Sequence, residues 1–373
     1  MNVVFLCNTY YQAIVAIQLR LTEFKNDTVY LVMSDHSKGT NEFVNKLKEQ
    51  KVFDDVIFVE TKKHDYDVLI KKHPYNLLLP AITGISRKFS FFRKKKIDKL
   101  IYYNSALSTH ILFATLYNKN KNVKCFRMEE GILSYGVTCH DNKYHLGRRK
   151  TPIIYRWRER LGKGSLFDSV ENFYCFQPSF YDGALKPIKI KPIDLCSDFQ
   201  KIIKNSFSID FTNESYKEKY IFFTSVYDFE GGEPIGEYEL VCQVADLVGK
   251  ENLLVKIHPR DGRAVYENNG FNVDKNSDIP WEAIQLSRDF SDRVFLTATS
   301  GSVLSGNFIA ETSPKTFFMH RCCFIEKNNI AQQSVKTIEK LLNHQALKSS
   351  LENVVIVGNI KDVLIEVKGN GEL

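Results

Sequence analysis

The spacing of apolar positions switches repeatedly between a strand period and a helix period. Residues 2–7, Asn-Val-Val-Phe-Leu-Cys, form a short apolar run of strand length, and residues 10–21 carry apolar side chains at helical spacing. A strand at 29–33, a polar helix at 41–50 and a strand at 56–60 follow. This βαβαβ rhythm predicts a parallel, doubly wound half. Residues 62–96 are less regular and predict helix and loop. Strand 99–103, helix 106–117 and strand 123–128 restore the rhythm, and 170–176 adds another strand. Residues 138–170 are polar and basic, with no clear period. Pro178, Pro187, Pro192 and a polar stretch mark 177–218 as the expected linker. The rhythm then resumes with strand 220–223, helix 238–247, strand 252–257, helix 280–286 and strands 293–297 and 316–319. Helices 335–342 and 361–367 close the chain around strand 354–357. The pattern predicts an α/β fold of two Rossmann-like domains, 1–195 and 196–373, with no internal repeat.

Composition narrows the class. A chain of 373 residues, 43% hydrophobic and 25% charged, is long enough for two cores and ordinary for a globular protein. No apolar run reaches the roughly 18–20 residues that a membrane span needs. The N-terminal apolar stretch is only five residues long and lacks a basic start, so it reads as a first strand and not as a signal peptide. Eight cysteines show no metal-like spacing. Cys322–Cys323 lacks a second pair, while Cys7, Cys125, Cys175 and Cys242 sit in apolar contexts suited to small core residues. A reducing cytoplasm and no structural zinc are expected.

The net charge of +7 is unevenly placed. Residues 87–96 mix Arg87, Lys88, Arg93, Lys94, Lys95 and Lys96 with Phe89, Phe91 and Phe92. Residues 148–163 place Arg148, Arg149, Lys150, Arg156, Arg158, Arg160 and Lys163 around Tyr155 and Trp157. An anionic membrane surface, a solvated face and a nucleic-acid patch compete. No nucleic-acid module accompanies the charge, so no nucleic-acid partner is expected.

Candidate chemistry lies at strand ends. Leu253–Arg260 reads as a buried strand ending in His258 and Pro259, on the side of an α/β sheet where ligands bind. Pro259 fixes the backbone beside His258, and Lys256 and Arg260 nearby suit a departing phosphate. The plain alternative is a strand ending in a turn with a solvated histidine. Pro280 opens a helix whose first turn holds Glu282, where a carboxylate can take both hydroxyls of a ribose; a dipole-stabilised helix-start acid is the alternative. Thr297-Ala298-Thr299-Ser300-Gly301-Ser302 follows a strand with small hydroxylated residues, a pattern that cradles phosphate or simply caps a loop. Together these three describe a nucleotide site. In the first half, Glu129-Glu130-Gly131 follows strand 123–128, where a carboxylate can act as general base. Two adjacent acids raise the pKa of one, and the alternative is a solvated strand end.

The opening residues, with Leu6-Cys7-Asn8-Thr9 and Gln12, resemble those of the bacterial sialyltransferases of glycosyltransferase family 52. Glu129-Glu130-Gly131 and His258-Pro259 resemble the acidic-Gly and His-Pro motifs shared with bacterial polysialyltransferases. Glu282 and the Thr299–Ser300 pair lie at the distances from His-Pro where that family contacts its nucleotide. The resemblance implies a GT-B fold, two Rossmann-like domains facing a central cleft, with acceptor binding in the first and CMP binding in the second. It implies CMP-sialic acid as donor, inverting transfer with no cofactor or required metal, and an acceptor with a terminal galactose on lipooligosaccharide or capsule. Peripheral membrane contact and a homodimer are further expectations.

In the implied mechanism His258 serves the phosphate as the sialyl bond breaks. Pro259, Glu282, Thr299, Ser300, Gly301 and Ser302 hold the nucleotide, and Asn8, Thr9, Gln12 and Glu129 line the sialic acid or acceptor side. Two places compete for the base. Glu130 is favoured by related families, whereas family 52 enzymes favour an acid in the loop before the His-Pro strand. Here that loop runs Tyr227-Asp228-Phe229-Glu230-Gly231-Gly232-Glu233-Pro234, with Glu237 beyond and Glu233 as the main rival. Two other readings stay open: a GT-B enzyme using another donor, such as UDP-sugars or CMP-Kdo, and a non-catalytic scaffold for polysaccharide assembly.

Overall fold

The computed structural model describes residues 1–65, 74–135, 157–158, 160–181, 183–195, 197–211, 215–227, 232–276, 278–312 and 314–368. The chain divides into two compact units, one of Met1–Lys191 with Cys196–Ser208, the other of Pro192–Leu195 with Ile209–Leu373.

In the first unit, β1 (Asn2–Cys7), β2 (Thr28–Ser34), β3 (Asp55–Val59), β4 (Lys99–Tyr102), β5 (Lys124–Met128), β6 (Val170–Cys175) and β7 (Lys186–Lys189) form one parallel sheet in the order 3-2-1-4-5-6-7. Helices α1 (Tyr10–Leu21), α2 (Thr40–Gln50), α3 (Pro74–Thr83) and α4 (Leu107–Lys119) supply crossovers. β1 is apolar without alternation because its side chains are covered on both faces, as parallel sheets require. The order reverses between β1 and β4, so their carboxyl ends open the crevice where doubly wound sheets bind ligands.

Residues 177–218 depart from the expected linker. They contain β7 at the sheet edge, where Pro187 costs no ladder bond to a further strand. They also contain α5 (Asp198–Phe207), capped by the Ser197 hydroxyl. Phe199 and Ile203, four residues apart, are buried, and Phe207 meets Tyr10 and Phe43 at ring distances of 5.1 and 4.8 Å. This cover explains why Gln12 to Leu19 of α1 are all buried instead of showing one wet face.

The second unit repeats the plan with β8 (Tyr220–Phe223), β9 (Leu253–Lys256), β10 (Asn272–Val273), β11 (Val294–Thr297), β12 (Lys315–Phe318) and β13 (Val354–Ile356). All are parallel, in the order 10-9-8-11-12-13. Its reversal falls between β8 and β11. Helices α6 (Glu237–Val248), α7 (Trp281–Gln285), α8 (Ser305–Ile309) and α9 (Asn329–Leu342) surround it. β8, β9 and β11 are buried at every position. Among the described residues no helix is long and apolar enough to cross a membrane.

The aromatic-basic segment 87–96 corrects one expectation. Phe89 and Phe92 are core residues at 1% and 0% exposure, packed with Leu100, Ile111 and Val123. Only Phe91 is exposed, and Lys95 lies over its ring and that of Tyr30 at 4.4 and 4.6 Å. Lys94 and Lys96 remain exposed. Of residues 148–163, 148–156 lie outside the described residues. Arg158 belongs to no solvated face: it is buried and donates to the backbone carbonyls of Ala81, Ile82, Lys163 and Gly164. Trp157 beside it is exposed.

Candidate active site

At the reversal of the first sheet, the chain leaves β1 through Asn8 and enters α1 with Thr9 as N-cap. Gln12 returns one turn later, and its Oε1 accepts from the Asn8 backbone N–H at 2.7 Å. The Asn8 amide donates to Asn104 Oδ1, just beyond β4, at 3.3 Å. Glu130 comes from the end of β5, and the Thr9 hydroxyl and Gln12 amide stand beside its carboxylate. Burial raises the Glu130 pKa, and these two neighbours offset part of that rise. Asn8 Oδ1 and Gln12 Nε2 are buried without a well-formed partner among the described residues. An orphaned Asn8 acceptor, and a Gln12 amide that leans on the carboxylate without a well-formed bond to it, suit the hydroxyls of a sugar, since buried polar groups otherwise cost stability. Four expected residues, Asn8, Thr9, Gln12 and Glu130, thus meet in one place.

Glu129 does not join them. It is fully buried, with Oε1 accepting from Tyr11 Oη at 2.5 Å and Oε2 accepting from Tyr135 Oη and from Phe176 N at 2.7 Å. Both oxygens are spent inside the protein, so it anchors β5 to α1 and β6 and leaves no oxygen for a substrate. Burial lifts its pKa to about 7 despite three donors. Gly131, at φ +75°, then turns the chain through a left-handed conformation that favours glycine. The turn lets Ser134 Oγ accept from the Glu130 N–H. Sequence reasoning missed Tyr11 because its partner lies 118 residues away, and Tyr135, six residues after Glu129, because an aromatic residue reads as core.

At the reversal of the second sheet, His258 follows β9, half-buried. Its N–H donates to Thr224 Oγ1 at 3.0 Å, and its Nδ1 accepts from the Arg260 N–H at 3.2 Å. An accepting Nδ1 places the proton of the neutral ring on Nε2. Pro259 is exposed beside it. Lys256, expected to help neutralise phosphate, is instead buried in an ion pair with Asp274 at 3.2 Å, which Tyr216 supports. Its charge also reaches Glu282, whose pKa burial raises and whose Oε1 accepts from Ser305 Oγ at 3.1 Å.

The turn after β11 has four hydroxyls. Thr297 Oγ1 faces inward, donating to Phe223 O and accepting from Ser300 N at 2.9 and 2.8 Å. Ser300 and Ser302 pair at 2.8 Å in a half-buried position, with Gly301 between them. Thr299 is buried and meets Tyr227 Oη at 2.6 Å. Of the rival acids, Glu233 is exposed and Glu237 is held by the Ser225 N–H and hydroxyl at 2.8 and 3.0 Å. Asp228 and Glu230 lie outside the described residues. Among the described residues, no three His, Cys, Asp or Glu side chains cluster to hold a metal.

Two Rossmann-like units, each with polar groups at its switch point, have the architecture of a GT-B glycosyltransferase. The chain belongs to the alpha-2,8-polysialyltransferase family, whose model matches residues 3–292. No curated protein sequence matches it. Among solved structures it is similar to an alpha/beta-galactoside alpha-2,3-sialyltransferase from Photobacterium phosphoreum, with 12% identity, 97% of this chain and 98% of that one covered, and a TM-score of 0.48. A protein described as a UDP-N-acetylglucosamine 2-epimerase from Listeria monocytogenes is similar at 12% identity, 98% and 95% coverage and 0.47. MurG from Acinetobacter baumannii follows at 9% identity, 95% and 85% coverage and 0.41. Overlays this loose assign no chemistry.

Proposed function

We propose that the protein is an inverting sialyltransferase that moves sialic acid from CMP-sialic acid to a terminal galactose, or a similar sugar, of a bacterial surface glycan such as lipooligosaccharide or capsule. The family match over residues 3–292 carries this reading, and the two switch-point sites supply its chemistry. Glu282 takes the ribose hydroxyls. Ser300, Gly301 and Ser302 offer hydroxyls and backbone N–H groups to the phosphate, with Thr299 behind them. As the sialyl–oxygen bond breaks, the Nε2–H of His258 donates a hydrogen bond to the phosphate oxygen that takes up the charge of the departing CMP. Asn8 and Gln12 orient the incoming sugar, and Glu130 takes the proton of its attacking hydroxyl. Burial supports Glu130 in this role, because a raised pKa strengthens a carboxylate as a base. Attack opposite the departing phosphate inverts the anomeric centre, and no step in this scheme requires a metal. Exposed Lys94, Lys96, Phe91 and Trp157 suit peripheral contact with the inner face of an anionic membrane.

The family description favours a second acceptor. Its name specifies α-2,8 linkage, the bond by which one sialic acid extends another. Product NMR after incubation with CMP-sialic acid tests both readings, using a lactose-type acceptor and one already ending in sialic acid. A new linkage to galactose supports the first, and a chain of α-2,8-linked residues supports the second. Release of nucleotide from a UDP-sugar or CMP-Kdo, but not from CMP-sialic acid, would overturn both.

A further inference from the structure

We propose that Tyr227 is a positioning residue of the phosphate turn, holding the Thr299 hydroxyl so that its proton is presented to the bound phosphate. This rests on the nucleotide reading above and extends it to a residue that has no role there.

The inference comes from following the hydroxyl protons at the end of β11. Thr297 directs its own to Phe223 O, and Ser300 and Ser302 share one bond between them. Thr299 is 3% exposed, and its hydroxyl meets Tyr227 Oη at 2.6 Å. Either hydroxyl can donate in this bond; we assign the donor role to the phenol, the far stronger acid, with Thr299 accepting. The Thr299 proton then has no acceptor among the described residues, although it is nearly buried in a turn built for an anion. A buried donor left unspent is costly unless a ligand takes it. Donation from Tyr227 also polarises the Thr299 O–H and makes it the stronger donor.

The Tyr227 ring packs against the second unit's core, which includes Leu240 and Ala298, so the phenol reaches Thr299 from a fixed base. Its chain position matters as well. Tyr227 follows β8 by four residues, and Thr299 follows β11 by two, so the contact spans the switch point of the sheet. The Thr224 side chain on the same β8 connection accepts from the His258 N–H. One connection therefore touches both the turn and the histidine.

Tyr227→Phe removes the hydroxyl and keeps the packed ring. Isothermal titration should show CMP bound about 5–10-fold more weakly, the range expected for one hydrogen bond, with cytidine affinity and melting temperature unchanged. Thr299→Val should cause a similar loss on CMP, and the double variant should lose little more than either single one. Unchanged CMP affinity in Tyr227→Phe overturns the inference, as does an equal loss on CMP and cytidine, since a merely structural role would not distinguish the phosphate. A wild-type protein that fails to prefer CMP over cytidine overturns the nucleotide reading itself, and the role of Tyr227 falls with it.

Discussion

Glu129→Gln should stabilise the protein at alkaline pH and be nearly neutral under mildly acidic conditions. Two effects oppose each other at Glu129. Three donors favour the carboxylate, while complete burial favours the neutral acid. Burial prevails, raising the pKa from 4.5 to about 7. A carboxyl group with a folded pKa above its unfolded one stabilises fully below the unfolded value and loses that contribution as pH rises through the folded value. Linkage with these two pKa values gives a loss of roughly 2–3 kcal/mol between pH 5 and pH 8. Glutamine mimics the protonated acid. Its oxygen can accept from Tyr135 and Phe176 N, and its amide can donate to Tyr11, so the network survives without the slope. For a unit of roughly 200 residues, 1 kcal/mol moves Tm by about 2–4 °C. The variant should therefore gain about 5–10 °C on wild type between pH 5 and pH 8, read by calorimetry across that range. A constant deficit in the variant at every pH would refute the reasoning, because it would mean that Glu129 is ionised in the fold and held by its three donors.

Further outcomes follow from the site. His258→Ala should lower turnover by roughly 10²–10³-fold, as loss of one donor to a developing charge does, with an unchanged melt because the residue sits at a strand end; wild-type rates would remove His258 from the chemistry. Glu282→Ala and Ser300→Ala should each weaken CMP binding by about 1–3 kcal/mol in calorimetry, and unchanged affinity in both would remove the nucleotide from this turn. Glu130→Gln should abolish transfer, and the acid limb of the wild-type kcat/KM profile should fall at a pH above the ordinary glutamate range because burial raises this pKa; a limb at 4.5 or below would exclude Glu130 as base. Lys94→Ser with Lys96→Ser should release the protein from anionic vesicles in co-sedimentation, each base contributing about 1 kcal/mol. Salt should weaken wild-type binding in the same way, and binding that ignores salt would refute an electrostatic patch. Lys95 is left intact because it packs on Tyr30 and Phe91.

The sequence by itself determined the alternation of strands and helices. Strands covered on both faces must be apolar throughout, and a run such as Val-Val-Phe-Leu-Cys carries that requirement in consecutive residues. It also determined His258-Pro259 and the hydroxyl-rich turn after β11, because strand ends and turns have local chemical signatures. The helix Asp198–Phe207 was less legible. Its few apolar residues acquire meaning only against Tyr10 and Phe43, more than 150 residues earlier. Tertiary structure alone divided Glu129 from Glu130. Adjacent in sequence and alike in chemistry, they differ because Tyr11, Tyr135 and Phe176 enclose one carboxylate, while Thr9 and Gln12 stand beside the other. It also gave Lys256 to Asp274, sent Phe89 and Phe92 inward and brought Tyr227 to Thr299. Charge, ring and hydroxyl act through whatever lies within a few ångströms, and for these residues the neighbours are set by strand order, not by the adjoining sequence.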